Sequence, residues 1–150
     1  MRGKYIKHQR EEMFRNKEPY KSHWAMTGGK IEFAEHIEET AEREVLEETG
    51  LKCKVEAIRG IASEIIHGDN EAEQHFLMFV VQLKSETAKF VESDEGKLQW
   101  FGFDEIDKLE QMVPSDKLMI KEFILKQNKM KVHRIKVRRN GERYDVEEFI

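Results

Sequence analysis

Gly28-Gly29-Lys30-Ile31-Glu32-Phe33-Ala34-Glu35-His36-Ile37-Glu38-Glu39-Thr40-Ala41-Glu42-Arg43-Glu44-Val45-Leu46-Glu47-Glu48-Thr49-Gly50-Leu51 is the stretch whose reading decides the fold. Residues 36–49 read as a helix. Ile37, Ala41 and Val45 recur every four residues with no Pro or Gly between them. Gly50 stands where a helix C-terminal glycine belongs. Glu44, Glu47 and Glu48 occupy i, i+3 and i+4, so three carboxylates share one face while the apolar residues hold another. Like charges at that spacing cost an isolated helix a few tenths of a kcal/mol per pair. A solvated acidic face carries that cost, and so does a site where divalent cations neutralise the carboxylates. Oxygen donors alone suit Mg²⁺ or Mn²⁺ rather than zinc.

The composition around this stretch narrows the class. The chain has 150 residues, enough for one core, so we read 1–150 as a single domain. Hydrophobic residues make up 39% and charged residues 37%; nine Phe, two Trp and three Tyr suffice for a core, so disorder is not the default. The net charge of −4 argues against long nucleic acid as a bulk partner. Glu32 to Glu48 carries eight glutamates against one arginine, whereas both chain ends are basic. The longest apolar run, Phe76 to Val81, is too short to cross a bilayer, and the first residues lack a signal peptide's apolar stretch. A single cysteine, Cys53, makes no internal disulfide, and a reducing cytoplasm fits best.

The rest of the chain reads as a mixed sheet with two helices, an α/β/α sandwich. Tyr5 to Gln9 is a short strand and Glu11 to Ser22 a polar loop. Trp24 to Phe33 forms two extended pieces around Gly28-Gly29. Cys53 to Ile66, His75 to Leu83 and Lys97 to Phe103 are strands, with a turn at His67 to Asn70. A second helix covers 115–127. Lys131 to Val137 and Tyr144 to Phe149 flank Asn140-Gly141, a strong hairpin signal. Phe76, Phe79 and Trp100 read as core. His67 and His75 have no metal-pair spacing.

The spacing within the opening stretch is far more specific than its acidity. Five residues separate Gly29 from Glu35, and seven separate Glu35 from Arg43-Glu44-Val45; then come Leu46, Glu47-Glu48, Thr49 and Gly50-Leu51. Chance alone gives such a pattern roughly 10⁻⁷ of the time per start, even allowing for local glutamate enrichment. The stretch resembles the Nudix box in full. Thr27 stands where Pro is commoner and Ala34 where Gly is commoner. The resemblance implies a Nudix fold and a hydrolase of nucleoside diphosphates linked to another group. It implies Glu44, Glu47 and Glu48 as metal ligands, joined by the backbone carbonyl of Gly29. Arg43 matches the arginine that orients a glutamate, and Glu35 the supporting first glutamate. Catalysis is then expected from Glu44, Glu47 and Arg43, with Glu44 or Glu47 as the base that takes a proton from water.

The downstream order resembles the oxidised-purine nucleoside triphosphatases of the MutT type. It runs Val91 to Glu95, then Trp100-Phe101, then Met112-Val113-Pro114-Ser115-Asp116. By that resemblance Glu95 supports metal or water, and Asp116 hydrogen-bonds the purine edge; as plain residues they are a solvated turn and a helix N-terminal acid. The mammalian enzyme's base-stacking Trp near Met112 and its Asn near Ala25 are absent. ADP-ribose enzymes of the family place Pro about where His67 stands, and diadenosine polyphosphate enzymes a Tyr near Gly68. Lys30, with Lys7 and Arg10, could meet phosphates or merely be solvated. Trp24 is a base-stacking wall or, as the stronger reading, core.

The expected reaction is Mg²⁺-dependent hydrolysis of a nucleoside triphosphate to monophosphate and pyrophosphate, with 8-oxo-dGTP as a candidate substrate. Removal of pyrophosphate from RNA 5′ ends, helped by the basic C-terminal hairpin, and a non-catalytic nucleotide-binding regulator are the alternatives. The family usually has a strand before the one read at Tyr5 to Gln9. Its absence would expose a sheet edge, and a homodimer is expected on that ground.

Overall fold

The computed structural model describes residues 2–6, 10–15, 19–68, 71–91, 96–126, 130 and 132–150. Strands are β1 Arg2–Ile6, β2 Arg10–Arg15, β3 Trp24–Met26, β4 Cys53–His67, β5 Ala72–Ser85, β6 Gly96–Phe101, β7 Val132–Asn140 and β8 Arg143–Phe149. Helices are α1 Ile37–Thr49 and α2 Pro114–Met119, the latter running on as a π-helical segment Ile120–Leu125.

The strands form two sheets rather than one. A five-stranded mixed sheet has the order β1-β5-β4-β7-β8, and a three-stranded antiparallel sheet the order β3-β2-β6. β4 and β5 form the long antiparallel spine of the larger sheet, with β1 parallel to β5 and β7 parallel to β4.

Each face of that sheet buries its own core, and the helices follow from this. Ala41 and Val45 of α1 pack with Leu51, Val81 and Leu83, joined by half-buried Ile37, Phe79 and Trp100. The four-residue apolar spacing thus faces the sheet as expected. On the other face, Ala62, Ile66, Met78 and Val80 meet Met26, Phe101, Met119, Ile120 and Phe123, with Phe76 at the margin. This is the α/β/α layering of the sequence reading.

Several boundaries differ from that reading. His36 precedes the helix as its cap, its N–H donating to the Glu39 carboxylate at 2.8 Å. Gly50 closes α1 in the left-handed region at φ 71°, its N–H donating to the Leu46 carbonyl. The second helix begins at Pro114 and ends at Leu125, short of residue 127, which lies outside the described residues. Only Trp24–Met26 of the two pieces around Gly28-Gly29 is a strand.

The N-terminal reading needs the largest correction. Strand structure covers 2–6 and 10–15, where one strand at 5–9 and a loop from 11 were expected. Arg10-Glu11-Glu12-Met13-Phe14-Arg15 has only two apolar residues, side by side, so period-two alternation is missing. It pairs on both sides, with β3 and β6, and backbone pairing decides its conformation. Arg2–Ile6 thus overlaps the strand read at 5–9, and β2 follows it.

Candidate active site on the glutamate face of α1

β3 delivers the glycine loop to the glutamate face of α1. The Gly28 N–H donates to Glu48 Oε2 at 3.0 Å. At Gly29 a Cβ would stand 2.0 Å from the Glu44 carboxyl carbon and 2.1 Å from both its oxygens. The Glu44 carboxylate therefore rests on the Gly29 backbone, an approach only glycine permits.

Arg43 organises the remaining carboxylates. Its Nε and Nη2 donate to the two Glu35 oxygens at 2.7 and 2.9 Å, a bidentate pair. Its Nη1 donates to Glu44 at 2.9 Å and to Glu47 at 3.2 Å, and Nη2 reaches the Lys30 carbonyl at 3.1 Å. Thr40 Oγ1 donates to Glu35 at 2.6 Å. The hydrogen bonds from Arg43, then from Thr40, hold the Glu35 carboxyl down at about 2. The bond to Glu35 in turn pushes the Arg43 guanidinium still higher than its usual value.

The i, i+3, i+4 repulsion is thus partly met by one internal cation. Glu47 and Glu48 still stand in the last turn of α1, which holds no basic residue, against the negative end of the helix dipole. An added cation would relieve both costs. The donors are hard oxygens, which is the chemistry of Mg²⁺ or Mn²⁺. Among the described residues, no three His, Cys, Asp or Glu side chains are gathered as a ready ligand set. Glu44 and Glu47 turn to Arg43, and Glu48 to Gly28. Exposure differs sharply: the Glu44 side chain is 15% exposed, that of Glu47 59%, and Glu48 is buried.

The other predicted residues are dispersed. Glu95 and Lys7 lie outside the described residues, and Arg10 sits on β2. Lys30 is exposed, beside the glycine loop. Trp24 packs edge-on against Phe101 at 5.2 Å and pairs with the Gln111 to Val113 segment through backbone bonds. Asp116 is fully buried, its Oδ2 accepting the Met26 N–H at 2.8 Å, so it ties α2 to β3. His67 is bound by Glu147 and His75 by Ser63. Three arginines of the hairpin are paired: Arg138 with Glu147 and Arg143 with Asp145 within it, and Arg139 with Glu73 of β5.

Sequence reasoning missed two buried polar residues, Tyr20 and Glu64. The Tyr20 hydroxyl donates to Glu64 Oε1 at 2.9 Å. The available signal was a lone charge within Gly60-Ile61-Ala62-Ser63-Glu64-Ile65-Ile66, a mainly apolar stretch of β4. No helix among the described residues is long and apolar enough to cross a membrane.

Residues 3–123 match the family model described as the NUDIX domain. An uncharacterized Nudix hydrolase of Bacillus subtilis is 34% identical over 99 residues, 65% of this chain and 62% of that protein. An ADP-ribose pyrophosphatase of Methanocaldococcus jannaschii is 31% identical over 63% of this chain and 55% of its own length. An oxidized purine nucleoside triphosphate hydrolase of Danio rerio is 38% identical over 55% of this chain and 51% of its own. The matches thus span between half and two thirds of these relatives. The crystal structure of a MutT protein from Bacillus halodurans superposes with a TM-score of 0.74 at 24% identity, covering 99% of this chain and 95% of that one.

Proposed function

The chain belongs to the Nudix family, and on that premise we propose that it hydrolyses nucleoside triphosphates to monophosphate and pyrophosphate with Mg²⁺ or Mn²⁺. The observation that carries this reading is the convergence of Glu35, Glu44 and Glu47 on Arg43, with Glu44 seated on Gly29 and Glu48 on Gly28. Glu44, Glu47, Glu48 and the Gly29 carbonyl are the groups to hold the cation, with Glu95 as a further candidate. When bound, such ions offset phosphate charge and lower the pKa of a coordinated water.

The protein's own groups do the rest. Arg43, fixed by Glu35, holds the Glu44 and Glu47 carboxylates in place. One of these two takes the proton of the attacking water. Glu47 has the more open side chain and the longer bond to Arg43, and Glu44 the closer seat on the glycine loop. The water oxygen bonds to phosphorus, the phosphoanhydride P–O bond breaks, and pyrophosphate leaves. Lys30 flanks the loop where phosphates would lie; Asp116 and Trp24 are the proposed base-side residues. Purine triphosphates, including 8-oxo-dGTP, are the proposed substrates, and the cytoplasm the proposed location.

The intact box favours catalysis over a regulator, and the paired arginines of the hairpin weaken the RNA alternative. We also propose a homodimer, paired through a sheet edge such as β1 or β8; sedimentation equilibrium measures it. The deciding experiment follows product release from NTPs, dNTPs, 8-oxo-dGTP, ADP-ribose and diadenosine polyphosphates, beside Glu47→Gln. Pyrophosphate from triphosphates, lost roughly 10²-fold or more in the variant, is expected. Cleavage of ADP-ribose alone would overturn the substrate. No turnover of any compound would favour the regulator.

A further inference from the structure

Helix α1 buries two threonines completely, and they use their hydroxyls differently. Thr49 Oγ1 donates to the Val45 carbonyl at 2.6 Å, four residues back, where a helical threonine ordinarily turns. Thr40 Oγ1 donates instead to Glu35 Oε2, at 2.6 Å, outside the helix. Its backbone N–H keeps the helical bond to the His36 carbonyl. Alanine would fill a buried helical position at lower cost, since threonine restricts χ1 and brings a hydroxyl that must be satisfied. The Thr40 hydroxyl therefore calls for a reason beyond packing.

The bond lands on the carboxylate that carries Arg43. Glu35 Oε1 accepts Arg43 Nε at 2.7 Å and Oε2 accepts Nη2 at 2.9 Å, so the two side chains form one planar unit. Thr40 and Arg43 stand three residues apart on α1 and grip the same carboxylate from one helix face. The unit's other ties differ in kind. The Lys30 carbonyl, 3.1 Å from Nη2, and the Glu32 N–H, 3.1 Å from Glu35 Oε2, belong to exposed residues of the loop before α1. The Glu44 and Glu47 carboxylates on Nη1 are the groups to be placed. Of all these partners only Thr40 is fully buried, and its hydroxyl lowers the Glu35 carboxyl more than the Glu32 N–H does.

We propose that Thr40 is a positioning residue for the reaction: through Glu35 and Arg43, its hydroxyl fixes where the Glu44 and Glu47 carboxylates stand. This rests on the nucleotide-hydrolysis reading above. Without the hydroxyl, Arg43 and Glu35 keep their two mutual bonds, but Glu35 Oε2 loses its shortest contact and the pair can swing with the loop. Arg43 Nη1 reaches Glu44 and Glu47 from a single nitrogen, so a shift of the guanidinium moves both carboxylates together. The site then loses cation affinity and the aim of its base, while its grip on the nucleotide itself is spared. Partners that orient metal-binding groups from behind carry effects of about 10- to 100-fold in affinity or activity.

The test compares Thr40→Val, which keeps the shape and loses the hydroxyl, with Thr40→Ser, which retains it. Thr40→Ala, a better helix former, is a second hydroxyl-free variant should the valine protein fold poorly. Three readouts are taken: kcat and KM for triphosphates at saturating Mg²⁺, Mn²⁺ binding by electron paramagnetic resonance with no nucleotide present, and urea midpoints. Thr40→Val is expected to lower kcat roughly 10-fold or more with little change in KM, and to weaken Mn²⁺ binding by a similar factor. Thr40→Ser should recover most of both. If Thr40→Val leaves kcat and Mn²⁺ binding unchanged and lowers only the urea midpoint, Thr40 is a packing residue and the proposal is overturned. A serine variant as impaired as the valine one also overturns it, because the methyl and not the hydroxyl would then matter. If the wild type turns over no nucleotide, yet its Mn²⁺ binding is weakened by Thr40→Val and kept by Thr40→Ser, the hydrolysis reading fails while the positioning of the carboxylates by Thr40 stands.

Discussion

Ala34 and Gly29 carry opposite demands on a single methyl group. Ala34 takes φ 64°, where an L-residue pays about 1–2 kcal/mol. Glycine would shed that strain and give back about 0.5–1 kcal/mol through its freer unfolded chain. Ala34→Gly is therefore expected to add about 0.5–1 kcal/mol of stability, seen as a higher urea midpoint at unchanged slope. A lower midpoint would mean the loop is not strained at Ala34. At Gly29 the missing methyl is essential, since a Cβ would sit 2.0 Å from the Glu44 carboxyl carbon. Gly29→Ala must push Glu44 away from its place beside Arg43. Triphosphate hydrolysis should fall roughly 10- to 100-fold, the usual cost of disturbing groups that orient a site, with circular dichroism unchanged. Full activity would show that Glu44 need not rest on the loop.

Among the elements, α1 was the most legible because two independent constraints coincide on it. Its apolar spacing must meet a sheet, and its glutamate spacing must present one face. Both are local, so they survive as pattern. β2 was not legible: its conformation comes from partners on either side, and Met13 next to Phe14 breaks any alternation. Residues 115–125 are helical as their pattern predicts, but the change to π-helical pairing at Ile120 has no mark in the sequence. The Arg43–Glu35 pair, legible as two box positions, makes a stability prediction at this scale. The hydrogen bonds of Arg43, then of Thr40, bring the Glu35 pKa from 4.5 to about 2. Between those values the unfolded chain binds the proton and the folded chain does not, so stability rises with pH. The contribution is complete above about 4.5 and is lost as pH falls toward 2. Wild type and Glu35→Gln should therefore differ most near neutrality and converge across that window in denaturant titrations. A gap that stayed constant on acidification would count against the pair.

At the scale of the whole molecule, the layers are joined by contacts between segments far apart in sequence, and these are what a sequence hides. The Asp116 bond to Met26 and the Tyr20 bond to Glu64 link residues 90 and 44 positions apart. Asp116 was noticed for its motif and Glu64 not at all, since nothing local says which face of β4 meets Tyr20. The same holds where the second helical layer meets the large sheet. Gly60 lies at a register shift of β4, and a Cβ there would stand 2.5 Å from the Phe123 ring. The ring therefore lies directly on the strand backbone, and the glycine sets how closely the layers approach. Gly60→Ala should cost about 1–3 kcal/mol, the range for forcing a methyl into a packed core, and so lower Tm by about 2–4 °C per kcal/mol at this chain length. Phe123→Leu alone should also destabilise, by removing ring contacts. If the two groups oppose each other as placed, the double variant should be less destabilised than the sum of the singles, by about 0.5 kcal/mol or more. Strict additivity would separate the two residues and leave the spacing of the layers to other contacts.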